Sequence, residues 1–146
     1  MKKFLKAMLA AMLIAITAVT VCSCGVPSDP VKSKENLESN GYVVEKVDGS
    51  LATLSAKALA LLANVTLKDG ADSIVSGTNL QETVTIIYFK DSKDASAMKK
   101  VGKDLVEKYK EENGDDSDVE YIFGASGKVF YMGTKAGIEA AKKAKK

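Results

Sequence analysis

The sequence predicts an α+β fold in which helices pack on one face of a mostly antiparallel sheet. Segments with the alternating or β-branched pattern of strands interleave with segments of helical periodicity, in the predicted order α-β-α-β-β-α-β-β-α. The composition, 46% hydrophobic and 27% charged, is that of an ordinary globular protein. The chain has 146 residues, which is enough for one domain.

The first elements are defined by their breaks. Ser33 is the predicted N-cap of a short helix that ends at Asn40-Gly41. Tyr42 to Val47 is the first predicted strand, and the next three residues, Asp48-Gly49-Ser50, break it. Ser50 is the predicted N-cap of the following helix.

The second helix, from Leu51 to about Ala63, is apolar nearly all round. Lys57 is the only charged residue between Ser50 and Leu67. Its larger apolar residues recur at helical spacing, which favours a helix buried deep against the sheet. The alternative is that Leu51 to Leu62 presents an exposed apolar face to a partner, a lipid or a second copy.

The middle of the chain carries the clearest pattern. Ser73 to Thr78 is a short predicted strand, and Thr83 to Phe89 is apolar or β-branched on both faces, which predicts a central strand. Lys93 to Glu112 is an amphipathic helix whose apolar stripe comprises Met98, Val101, Leu105 and Tyr109.

The last elements form a hairpin and a helix. Val119 to Phe123 and Lys128 to Met132 are predicted strands joined by a turn from Gly124 to Gly127. Thr134 caps a final helix. The βαββαβ run within this order predicts a ferredoxin-like core, to which an extra strand and terminal helices are added.

The composition excludes several chemistries. The chain has no His and no Trp, and its 21 basic residues are all Lys. Catalysis by a His base, His-ligated zinc and bidentate Arg recognition are therefore excluded. No motif for a cofactor or for a His-free hydrolase is visible, so we expect a protein that is not an enzyme and binds no cofactor.

The N-terminus has the three parts of an export signal. Lysines precede an uncharged run from Ala7 to Val21, and small residues follow. The run has 15 residues, whereas a helix that spans a membrane needs about 20. We therefore expect residues 1–23 to be a signal peptide that is removed.

The end of this segment, Val21-Cys22-Ser23-Cys24, resembles the lipobox of bacterial lipoprotein precursors. The resemblance covers about the first 25 residues and implies cleavage before Cys24, whose sulfur carries the lipid. Counting from Cys22 fits less well, because Val21 would then stand at the cleavage position. The resemblance implies a lipid anchor in the cell membrane and a domain on its extracytoplasmic face. After cleavage Cys24 is the only cysteine, so the mature chain has no internal disulfide.

The residues that follow are predicted to be a spacer. Residues 24–32 comprise the lipidated Cys24 and a stretch that contains both prolines of the chain. Extended, the eight residues from Gly25 to Lys32 would reach on the order of 25 Å. Residues 33–146 would then form a single globular domain.

The charge is uneven. Without the signal peptide, 18 lysines face 19 acidic residues, while the final 13 residues carry five lysines and one acid. Those lysines could touch anionic headgroups or cell-wall polymers, although the favoured interpretation is a solvated helix end. An acidic body without Arg gives no support for nucleic-acid binding. The lysines are Lys135, Lys142, Lys143, Lys145 and Lys146.

Three further candidate sites were weighed. Asp115, Asp116 and Asp118 form an acidic loop that is a weak candidate for cation binding, without EF-hand spacing. Gly127-Lys128 lacks the spacing of a phosphate-binding loop and is better explained by the hairpin. Six aromatic residues on predicted strands favour a core role over ligand stacking; they are Tyr88, Phe89, Tyr121, Phe123, Phe130 and Tyr131.

These observations favour a lipid-anchored binding or interaction module at the cell envelope. Its expected partners are the membrane, through the lipid, and an envelope protein or cell-wall polymer. The alternative is a small-ligand or cation receptor that serves a transport system, although such receptors are usually larger and two-lobed.

Overall fold

A computed structural model describes residues 25–113 and 119–145. These residues form an α+β fold with the predicted order of elements, so the predicted fold class is confirmed. The helices are α1 (Pro30–Ser39), α2 (Gly49–Leu61), α3 (Ser92–Asn113) and α4 (Lys135–Lys142). The strands are β1 (Val43–Asp48), β2 (Ala71–Asn79), β3 (Glu82–Phe89), β4 (Tyr121–Ser126) and β5 (Val129–Thr134).

The strands form one sheet in the order β1-β2-β3-β5-β4, and every neighbouring pair is antiparallel. Strand β3 lies at the centre, as predicted. Ile86 and Ile87 of β3 point to opposite faces of the sheet, and both are buried. Because a strand that is apolar on both faces needs cover on both, the sheet lies between two layers of helices.

Helices therefore cover both faces of the sheet, whereas the sequence predicted helices on one face. Helices α2 and α3 pack on one face, called here the α2/α3 face, and α1 and α4 pack on the other, the α1/α4 face. The terminal helices, predicted as additions, contribute Leu37 and Ile138, which are fully buried with Ile86 and Tyr131. They are needed because the sheet presents a second apolar surface.

The connections differ from a ferredoxin-like core in one half of the sheet. Strands β3 and β4 run parallel on either side of β5 and are joined through α3, which is a split βαβ arrangement. Strands β1 and β2 are adjacent and antiparallel, although α2 separates them in sequence. The ferredoxin-like prediction therefore holds for the second half of the chain only.

Helix α1 begins earlier than predicted. Its N-cap is Asp29, whose Oδ1 accepts a hydrogen bond from the backbone N–H of Val31 at 2.9 Å, and Pro30 stands in the first turn. Both are residue types that favour a helix start. Ser33, the predicted N-cap, is buried inside the helix with its Oγ 2.5 Å from the hydroxyl of Tyr88.

Residues 25–29, called here the N-terminal segment, lie against the domain. Val26 packs on the α1/α4 core, and the hydroxyl of Tyr88 donates to the carbonyl oxygen of Pro27 at 3.1 Å. Burial raises the pKa of Tyr88 to about 12, so this donor keeps its proton at neutral pH. The predicted spacer from Gly25 to Lys32 is therefore wrong, since its last three residues belong to α1 and the domain begins before Ser33.

The hairpin of β4 and β5 is tighter than predicted. Its turn is only Gly127 and Lys128, and Gly127 has a φ of 56°. Gly124, predicted in the turn, lies in β4, where a Cβ atom would stand 2.5 Å from the hydroxyl oxygen of Tyr131. This glycine admits the Tyr131 side chain. Thr134 caps α4 as predicted, since its Oγ1 accepts from the N–H of Gly137 at 3.1 Å.

A carboxylate at the start of α3 fixes the loop between α2 and β2. The two oxygens of Asp94 accept hydrogen bonds from the backbone N–H groups of Lys68, Asp69 and Gly70 at 2.8–2.9 Å. Burial would raise the pKa of Asp94, but the three N–H groups, together with the charge of Lys57, outweigh it and hold the pKa below 3.8. The carboxylate therefore stabilises the loop in its charged form.

We expect Asp94→Asn to lower the free energy of unfolding by about 1.5–3 kcal/mol at pH 7, because an amide cannot accept all three bonds. Since the folded pKa is lowered, the contribution of Asp94 is present above 3.8 and disappears as pH falls through the folded pKa. The variant should lack this part of the acid sensitivity in urea unfolding.

Asp104→Asn is the control, because Asp104 forms only an i,i+4 pair with Lys100 at 3.1 Å. It should change stability by less than about 0.5 kcal/mol. Equal losses in the two variants would contradict the role assigned to Asp94.

Candidate docking surface on helix α2

Helix α2 turns its alanines to the sheet and its leucines to solvent. Ala52, Ala56 and Ala60 are fully buried, and Leu59 is 9% exposed. The outward leucines are far more accessible: the exposed fractions are 57% for Leu51, 66% for Leu54, 67% for Leu61 and 59% for Leu62. With the exposed Ala58 between them, they form a continuous stripe at helical spacing. This leucine stripe comprises Leu51, Leu54, Ala58, Leu61 and Leu62.

The small inward side chains explain how the helix lies on the sheet. Alanine at every fourth position lets the backbone of α2 approach β2 closely, and the Oγ1 of Thr53 donates to the carbonyl oxygen of Ala71 at 2.8 Å. Beyond the helix, the Nζ of Lys100 donates to the carbonyl oxygen of Ala63 at 2.6 Å. The helix is thus held near both ends, and the stripe is a fixed surface.

The start of this helix also differs from the prediction. Its N-cap is Asp48 and not Ser50, and the side chain of Asp48 makes no capping hydrogen bond. That carboxylate is used elsewhere, because Asp48 accepts from the Oγ of Ser73 at 2.5 Å and pairs with Lys46. The two hydrogen bonds lower the pKa of Asp48.

The favoured expectation, burial of α2 nearly all round, is wrong for the leucines. The sequence argument grouped the leucines with Ala58 as one apolar stripe and took it to be the core face. The signal for the true inward face was the separate spacing of Ala52, Ala56 and Ala60, which places the small side chains on a second arc. The structure thus matches the alternative of an exposed apolar face.

The leucine stripe carries no charge. Lys57 is only partly exposed, and it lies close enough to Asp94 to affect the pKa of that carboxyl group. Isolated exposed leucines are common on protein surfaces, but a continuous apolar stripe on one helix is typical of an interaction site. Its chemistry suits an apolar surface on a partner.

Two sets of predicted site residues lie outside the described residues. They are Cys24, the predicted lipid attachment site, and the acidic loop of Asp115, Asp116 and Asp118. Within residues 25–113 and 119–145, no group of three or more acidic or cysteine side chains could hold a metal ion.

The aromatic residues have the core role that the sequence favoured. Tyr88 and Tyr131 are buried on the α1/α4 face, while Phe89, Tyr121 and Phe130 are buried on the α2/α3 face. Phe123 is partly buried and packs against the second group. None of the six offers an open ring face for stacking.

A cavity of about 500 Å³ opens beside the β4–β5 turn. Its main polar groups are already engaged within the protein. The hydroxyl of Tyr88 bonds Pro27 and Ser33, and Ser73 donates to Asp48. The arrangement therefore gives less support to a small-ligand site than the leucine stripe gives to a docking site.

Comparisons with protein-family models, curated proteins and solved structures return no match. Among the helices of the described residues, none combines the length and the hydropathy that crossing a membrane requires. The function is therefore argued from the geometry of this chain alone.

We expect Leu54→Gln and Leu61→Gln to leave the free energy of unfolding within about 0.5 kcal/mol of the parent chain, since both side chains are already exposed. Leu59→Ala should cost about 2–5 kcal/mol, because Leu59 is buried in the same helix. Urea unfolding of the three variants measures the contrast. A large loss in Leu54→Gln would show that the stripe serves the fold.

Proposed function

We propose that the chain is a membrane-anchored extracytoplasmic lipoprotein whose domain binds an envelope protein through the leucine stripe of α2. The observation that carries the proposal is the exposure of four leucines on a helix that is fixed to the sheet. The proposed activity is binding without chemistry, in keeping with a chain that lacks His and Arg.

The anchor is supported by the sequence from Val21 to Cys24. Each buried methylene of an acyl chain contributes about 0.8 kcal/mol, and two chains hold a protein stably where one does not. A diacylated Cys24 would keep the domain at the extracytoplasmic surface of the cell membrane.

The position of the N-terminal segment supports a docking role for α2. Val26 and Pro27 lie on the α1/α4 face, whereas the leucine stripe projects from the opposite side of the sheet. A lipid on Cys24 is bonded directly to this segment, so the membrane would lie on the α1/α4 side. The stripe would then face away from the bilayer.

The chemistry of the stripe indicates the class of partner. Aliphatic side chains gain free energy by leaving water and offer nothing to the hydroxyl groups of a polysaccharide. An apolar helix or strand edge on another envelope protein therefore suits the stripe better than a cell-wall polymer does.

The anchor is tested by intact-mass analysis and membrane fractionation of the native chain beside Cys24→Ala. We expect the native chain to begin at an acylated Cys24 in the membrane fraction, and the variant to accumulate as uncleaved precursor. A native chain cut elsewhere and released without lipid would overturn the anchor.

The docking surface is tested by placing a photoreactive residue at Leu54 in cells, with the exposed Lys99 of α3 as the matched position. We expect one discrete adduct from position 54 that is absent from position 99 and weakened by Leu61→Gln. An adduct of twice the chain mass would show that the stripe joins two copies and would replace the partner proposal. Equal labelling at the two positions would refute a specific surface.

A further inference from the structure

The chain offers no spacer between the proposed anchor and the fold. The N-terminal segment is fixed through Val26, Pro27 and Asp29, and Gly25 alone precedes these contacts. Consecutive Cα atoms are 3.8 Å apart, so a lipidated Cys24 would be attached next to the docked segment. A domain held this closely would touch the headgroups.

The basic end of the chain lies beside the same point. A Cβ atom on Gly25 would stand 2.9 Å from the Cδ of Lys142, which places the C-terminal end of α4 against the first described residue. The residues that follow are held in place. The Nδ2 of Asn40 donates to the carbonyl oxygen of Lys143 at 2.9 Å, and the N–H of Lys145 donates to the Oγ of Ser39 at 3.0 Å.

The charges at this edge leave an excess of lysine. Glu139 is 2.9 Å from Lys142, and Glu38 is 3.7 Å from Lys34, so these acidic groups are balanced by their neighbours. Lys143 and Lys145 are exposed and add two further positive charges. A surface of this kind is attracted to anionic lipid.

We infer that the domain rests directly on the membrane by its α1/α4 face, with Lys143 and Lys145 against anionic lipid headgroups. This inference rests on the proposed anchor at Cys24. The lysines then set the orientation of the domain, and the lipid supplies the attachment. Each lysine near an anionic surface strengthens the attraction about fivefold.

The test uses the lipidated chain in vesicles. Once Cys24 is acylated the mature chain has no free thiol, so a single introduced cysteine takes a nitroxide label. Ala144→Cys places the label between the two lysines, and Ser55→Cys places it on the outer side of α2; both positions are exposed. The vesicles contain either 30% phosphatidylglycerol in phosphatidylcholine or phosphatidylcholine alone, and the readout is broadening of the label by a water-soluble nickel complex.

We expect the label at position 144 to be severalfold less accessible to nickel than the label at position 55 when phosphatidylglycerol is present. The difference should shrink in phosphatidylcholine alone, in 1 M salt and in Lys143→Gln/Lys145→Gln. Lys99→Gln/Lys103→Gln, which removes two exposed charges from α3, is the control and should retain it.

Equal accessibility of the two labels in an acylated chain would overturn the orientation and leave the anchor standing. Protection at position 144 that ignores anionic lipid, salt and the lysine variant would overturn the role of the lysines. A mass spectrum without lipid on Cys24 would overturn both the anchor and this inference. Mass analysis of each sample separates the failures.

Discussion

The burial of both faces of strand β3 is the constraint on which the rest of the fold depends. Ile86 and Ile87 each need an apolar covering layer, and neither helix pair can supply both. The chain therefore adds α1 and α4 to the sheet face that α2 and α3 leave open. Because the terminal helices complete a core, the N-terminal segment and the basic C-terminal end are brought to one side of the molecule.

The sequence predicted the elements better than it predicted their arrangement. The central strand, the amphipathic α3, the hairpin and the Thr134 cap are local patterns, and each is present. The placement of α1 and α4 depends on contacts between residues about 100 positions apart, such as the bond from the Nδ2 of Asn36 to the carbonyl oxygen of Ala141 at 2.9 Å. No local pattern reports such contacts.

The candidate surface shows a second limit of pattern reasoning. A helix that is apolar all round has no polar face to mark its outside, so its orientation depends on side-chain size. The sheet received the alanines of α2, because small side chains allow close packing, and the larger leucines remained outside. Hydrophobicity alone favoured the opposite arrangement. The lipidation site belongs to a different category, since its evidence is a linear motif that peptidases read before folding.

The docked N-terminal segment has a consequence for the order of events during export. On the proposed processing at Cys24, the peptide bond to be cut lies one residue before Gly25, and the segment that follows packs beneath Lys142 and Tyr88. A processing enzyme needs the chain around that bond in an accessible, extended form. Maturation must therefore precede the final closure of the α1/α4 layer, and the last contacts of this domain would form only after the precursor has been trimmed.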